Sequence, residues 1–215
     1  ALLGYAQRDA SELDNADASL VPNPADRRTR AWLAKVVLGE RAPLRFTLQR
    51  QDADRTTDVR SLLLQPGRYA NTVAMRGDDA SDTTLVAIDQ QFAGAGPFAQ
   101  AEWRVYWRRS GVLQTTLEER RAVPPRTPPL GLAREFRYVD RTVGAEATVS
   151  REFRALGAAH RFVAGVEAER TRVEESRDGV QTDRLTGQRT TTILGENFPL
   201  RDFPITTTTR VGVYA

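Results

Sequence analysis

Period-two alternation of apolar and polar positions recurs along the chain, and helical periodicity is hard to find. Leu44, Phe46 and Leu48 alternate with Arg45, Thr47 and Gln49, and Ala101, Trp103, Val105 and Trp107 alternate with Glu102, Arg104, Tyr106 and Arg108. Val143, Ala145, Ala147 and Val149 stand against Thr142, Gly144, Glu146, Thr148 and Ser150. Phe162, Ala164, Val166 and Ala168 stand against Arg161, Gly165, Glu167 and Glu169, with Val163 as the exception. Such segments predict strands whose two faces meet different surroundings. The stretches 30–38, 83–92 and 205–215 are β-like but less regular, and Leu3, Tyr5 and Gln7 make an eighth candidate strand.

The connections between these segments alternate in length. Short ones are expected at 39–43, 93–99 and 154–159, and long ones at 10–29, 54–82, 110–133 and 175–204. Strict interleaving places every long connection at one end of an up-and-down sheet, a plan shared with outer-membrane barrels. The long connections are rich in turn formers, as in Val21-Pro22-Asn23-Pro24 and Pro124-Pro125-Arg126-Thr127-Pro128-Pro129. Phe46, Phe92, Phe153 and Phe162 lie close to the short turns, where an aromatic ring suits a membrane interface. The stretches 134–152 and 160–174 exceed the roughly 9–11 residues that cross the hydrocarbon layer, so these hairpins are expected to project beyond it. The same alternation is compatible with a soluble β-sandwich, and a complete eight-stranded barrel is also physically allowed.

Composition narrows the chemistry. The chain of 215 residues has no Cys and one His, which removes disulfides, thiol nucleophiles and the usual zinc sites. No metal and no cofactor is expected. The 31 basic residues are interleaved with 28 acidic ones, which argues against nucleic acid as a partner. No stretch is long and apolar enough for a membrane helix, which leaves strands as the only crossing element. The first and last residues both fall inside strand-like sequence, so the chain is read as part of something longer.

Several local features resolve to plain readings. His160 lacks a second ligand and is expected at an interface or turn; Gly94-Ala95-Gly96 is a turn, since no helix follows; Arg76-Gly77-Asp78 is a chance tripeptide. A calcium role for Asp78, Asp79 and Asp82 lacks full ligand spacing. Glu146, Glu167 and Glu169 offer carboxylates, but with no cleft or proton relay they are expected, with Arg104, to face a polar lumen. No nucleophile elbow or triad is present, and an enzyme is not expected.

The chain resembles the barrel of TonB-dependent outer-membrane receptors, in particular those taking up haem, haemoglobin, transferrin or lactoferrin iron. The resemblance is carried by Arg151-Glu152-Phe153-Arg154, by Arg161-Phe162-Val163-Ala164-Gly165-Val166-Glu167, and by Leu194 through Pro204 before the last strand. It implies an all-β fold: an antiparallel, up-and-down, transmembrane β-barrel segment of about eight strands, with long extracellular loops and short periplasmic turns. Residues 1–215 would be a partial barrel domain in the bacterial outer membrane, lacking the plug domain and the remaining strands. Outer-membrane lipid, an energy-transducing TonB-type protein acting through the plug, and an extracellular iron-containing ligand would be its partners. Tyr69, Arg76, Arg134, Phe136, Arg201 and Phe203, in the long loops, are the expected ligand contacts. The competing readings are a small complete outer-membrane barrel with a structural or adhesive role and a soluble β-sandwich that binds a ligand.

Overall fold

A computed structural model describes residues 1–11, 21–94 and 97–215. The strands are β1 (Leu2–Ser11), β2 (Ala25–Leu38), β3 (Leu44–Asp58), β4 (Thr72–Ala93), β5 (Gln100–Arg120), β6 (Leu130–Ala155) and β7 (Ala158–Asp183). The short strands β8 (Arg189–Thr190), β9 (Thr192–Ile193) and β10 (Glu196–Asn197) and a closing strand β11 (Thr206–Tyr214) follow. The main sheet runs β1-β2-β3-β4-β5-β6-β7-β11, antiparallel at every step and not closed on itself, because β1 and β11 are not paired with each other. β8 adds to β7, and β9 and β10 pair separately. The fold is therefore an all-β, up-and-down sheet of eight principal strands, as the alternation predicts.

Connection lengths interleave as expected, but the long connections are shorter than the sequence suggested. β3 runs on to Asp58 and β4 starts at Thr72, so 59–71 is the connection where 54–82 was expected, and it carries a 3₁₀ turn at Gly67–Tyr69. Likewise β5 and β6 extend to leave only 121–129, and β7 continues to Asp183. Beyond the apolar belt both faces of a hairpin meet polar surroundings, so alternation fades while backbone pairing continues. At the other rim, β6 and β7 meet at a two-residue turn, Leu156 and Gly157, both at positive φ (53° and 78°). That is the type I′ geometry whose twist matches paired strands, and glycine takes the second position without steric cost.

Register sorts the side chains onto two faces. One face carries a continuous apolar belt. Cross-strand rows such as Val36–Phe46–Ile88–Val105–Ala145–Ala168–Val211 run through directly paired residues from β2 to β11. Along each strand the belt is of similar height: Trp32 to Leu38, Val86 to Phe92, Ala101 to Trp107, Val143 to Val149, Phe162 to Ala168, each about 20 Å of strand. Gln90 is the polar member of the β4 stripe, and its Nε2 donates to the Ala42 carbonyl at 3.1 Å. On β2 the opposite face also carries apolar residues, Leu33 and Val37.

The belt is exposed. Val105 retains 47% of its surface, Val143 54% and Val166 51%, whereas among the described residues the buried hydrophobics that cluster, Leu132, Ile193 and Phe198, lie at the long-loop end. The total accessible surface is 14710 Å², against about 9,900 Å² for a compact globular chain of this 23.9 kDa mass. A soluble sandwich needs a second sheet over the belt. Among the described residues the only other sheet, β9 and β10, packs instead over the opposite face, where Ile193 meets Gly179 and Leu132.

Candidate functional site

The face opposite the belt is polar and concave. A hollow of about 390 Å³ is walled by Arg45 of β3, Asp89 of β4, Arg104 of β5 and Glu146 of β6, four consecutive strands, and by Tyr214 of β11, which reaches β6 across β7. Two ion pairs cross between strands in its wall, Arg45 with Asp89 at 3.3 Å and Arg104 with Glu146 at 3.9 Å, and Arg108 pairs with Asp140 at 3.9 Å further along the same face. Of the residues expected at a lumen, Arg104, Glu146, Glu167 and Glu169 all lie on this face. Glu146 and Glu167 are direct cross-strand partners. Like charges in that arrangement repel, which the Arg104 contact offsets on the Glu146 side.

Two tyrosines tie three strands each. The Tyr106 ring lies across Gly144, its direct partner on β6, and its hydroxyl donates to Glu169 on β7 at 2.8 Å. Tyr214 repeats the device: its ring covers Gly165 on β7 and its hydroxyl meets Thr148 Oγ1 on β6 at 2.7 Å. A Cβ at Gly144 would lie 2.3 Å from the Tyr106 ring, so only glycine admits this approach. Gly144→Ala is expected to lower stability by about 1–3 kcal/mol, as overpacking does. Tyr106→Phe, which keeps the ring and loses the hydroxyl bond, should cost about 1 kcal/mol. Urea midpoints of the two variants give the comparison.

At the long-loop end the same face deepens into a cavity of about 260 Å³. Of the six expected ligand contacts, Tyr69, Arg134 and Phe136 are brought together on its wall. Arg76 is not. It sits in β4 on the belt-side face and makes a paired contact with Asp78. Arg201 and Phe203 lie in the connection before β11 and do not line the cavity; Phe203 is 65% exposed. Nor do Arg134 and Phe136 belong to a loop, because both are within β6. Asp78 and Asp79, successive residues of β4, point to opposite faces and so cannot share a cation. Among the described residues no group of three or more His, Cys, Asp or Glu is placed to hold a metal.

The cavity also contains residues that sequence reading missed: Arg68, Arg177 and Phe198. Arg68 stacks on Tyr69 at 5.3 Å and Arg177 on Phe198 at 5.7 Å. Arg177 is further held by Glu196 and Asp202, both at 3.1 Å. Arg177 and Phe136 are direct cross-strand partners, a relation visible only once β7 is known to continue past Glu174. Behind this wall lies Glu118, fully buried, accepting from Thr72 Oγ1 at 2.6 Å and from Arg134 at 2.7 Å, with Arg120 at 3.5 Å. His160 lies at the opposite rim, stacked on Phe153 at 5.3 Å, with Nε2 3.1 Å from the Ala155 carbonyl.

No protein-family profile and no curated protein matches the chain.

Proposed function

We propose that the chain is a wall segment of a β-barrel in the bacterial outer membrane, with its belt against lipid and its ion-paired concave face toward the lumen. The observation that carries this is the exposed apolar belt, continuous across the sheet and opposed by a charge-matched polar face. That is the inside-out pattern of a membrane barrel. A soluble monomer rarely leaves so large a contiguous apolar patch uncovered. Aromatics at both borders support it: Phe92, Phe153 and Phe162 toward the short turns, and Trp107 with the Tyr5–Trp32 ring pair (4.3 Å) toward the long loops.

On the sequence resemblance, the barrel is that of a TonB-dependent receptor that takes up an iron source, the chain itself doing no bond chemistry. The cavity at the long-loop end suits that role. Its arginines and aromatic rings fit an anionic ligand with a flat apolar body, such as haem or an aromatic ferric chelate.

Single-cysteine labelling in liposomes tests the wall assignment. Fluorophores at Val105 and Ala145 should be quenched from the lipid phase, and those at Thr47 and Gln49 from water. The reverse pattern, or quenching from water at all four, would remove the membrane reading. For the ligand, haem and a ferric catecholate should bind the liposome-inserted chain, and Arg177→Ala should weaken binding about tenfold or more, in line with loss of a charge-assisted contact.

A further inference from the structure

Just beyond the belt, on its long-loop side, the lipid-side face carries a row of arginines in direct register: Arg109 of β5, Arg141 of β6 and Arg172 of β7. Arg170 stands one pair nearer the belt, beside Val143. Like charges directly opposite one another in a sheet are destabilising, so the row calls for anions. The protein supplies too few. Asp82 meets Arg109, and Glu174 is shared between Arg141 (3.2 Å) and Arg172 (2.9 Å). Arg170 makes no ion pair among the described residues. Arg109 shares a hollow with Asp52, Asp54 and Asp82, whereas Arg141, Arg170 and Arg172 face one carboxylate, Glu174, with about half of the Arg141 and Arg172 side chains exposed. On the concave face at the same level the charges match, Arg108 with Asp140, and Thr142 bonds Thr171. The excess is confined to the side that carries the belt.

We infer that this row is a binding site for phosphate groups of lipid headgroups in the leaflet on the long-loop side. Three arginines at successive strand spacings extend over about 10 Å, enough to meet two phosphate groups at once. Guanidinium forks match phosphate oxygens geometrically as well as by charge. A soluble phosphate offers the same oxygens, but the site sits on the rim of an apolar belt, where acyl chains hold a headgroup at this height. The inference rests on the wall assignment above.

The test uses the full chain in phosphatidylcholine liposomes containing brominated phosphatidic acid or brominated phosphatidylcholine. Trp107 is kept as the single tryptophan by Trp32→Phe and Trp103→Phe. Trp107 pairs with Val143, the direct partner of Arg170, so its quenching reports the lipid next to the row. Brominated phosphatidic acid should be preferred at least fivefold. Arg141→Gln and Arg170→Gln, each checked for retained β-sheet by circular dichroism, should each reduce the preference several-fold. An arginine near a charged surface contributes about 1 kcal/mol, or about fivefold. Arg108→Gln, on the concave face, should leave the preference unchanged. Equal quenching by the two lipids overturns the inference and leaves the wall assignment standing. Quenching by neither means that the belt does not meet lipid, and both fall. Loss of the preference on adding millimolar inorganic phosphate, with quenching retained, would make the site one for soluble phosphate and overturn the lipid assignment.

Discussion

Replacing Glu118 by Ala should destabilise the chain by about 3–5 kcal/mol, the cost of leaving a buried charge without its partner. The Glu118 side chain is fully inaccessible, and it neutralises Arg134 while standing 3.5 Å from Arg120, whose side chain is 14% exposed. Removing the carboxylate takes the counter-charge from two mostly buried guanidiniums, Arg134 and Arg120, and the acceptor from Thr72. Glu118→Gln keeps an acceptor for Thr72 but no charge, and should fall between wild type and Ala. Equilibrium unfolding in guanidinium of the detergent-refolded protein measures the series. A double-mutant cycle with Arg134→Leu separates pairing from packing: if the double variant loses no less than the sum of the single losses, the two side chains are not coupled and the account of this buried pair is wrong. The region also closes the wall of the cavity at the long-loop end, the proposed ligand site, through Arg134. Loss of Glu118 should therefore weaken ligand binding even at temperatures where the sheet is intact.

Arginine in place of Val105 or Ala145 should cost about 2–4 kcal/mol, the penalty for a cation near the bilayer midplane on a barrel's lipid face. Both residues lie in the middle row of the belt and are direct cross-strand partners. The comparison positions must lie on the concave face at the same height. Glu146 and Thr148 are poor choices, since Glu146 meets Arg104 and Thr148 bonds Tyr214, so each change would break a contact as well as add a charge. Thr47 and Gln49 on β3 are cleaner, and arginine there should change stability by less than about 1 kcal/mol. Reversible unfolding from lipid vesicles reads the difference. Equal penalties on the two faces would mean that the belt meets protein rather than hydrocarbon.

The parts of the fold legible in the sequence are those where the two faces of a strand meet unlike surroundings. Val143 to Val149 and Ala101 to Trp107 declare themselves because one side touches the belt and the other a polar hollow. The same chain beyond the belt, such as Ser110 to Arg120 or Glu175 to Asp183, is strand without alternation, because both sides are polar, and it reads as loop. That single difference displaced most of the site. Arg134 and Phe136 were reached through their aromatic or charged character, whereas Arg177 and Phe198 depend on register and on a connection that folds back over the sheet. Neither is encoded in local spacing. Glu118 was hidden for a related reason, since nothing in Leu117-Glu118-Glu119-Arg120 distinguishes the buried acid from its exposed neighbour. The turn expected over 154–159 closes in two residues, Leu156 and Gly157, because the small residues on both sides resemble a longer loop but are themselves paired.

Pairing in the main sheet follows chain order at every step: each principal strand pairs with the principal strands before and after it along the polypeptide, and β7 takes the short β8 in addition. The register of one hairpin is therefore independent of how many others follow. Adding or deleting a complete hairpin leaves every remaining neighbour relation, belt row and ion pair between surviving strands in place, whereas adding or deleting a single strand reverses the direction of all that follow and sends their long connections to the wrong rim. Gene duplication can thus widen or narrow such a sheet in steps of two strands without new side-chain chemistry.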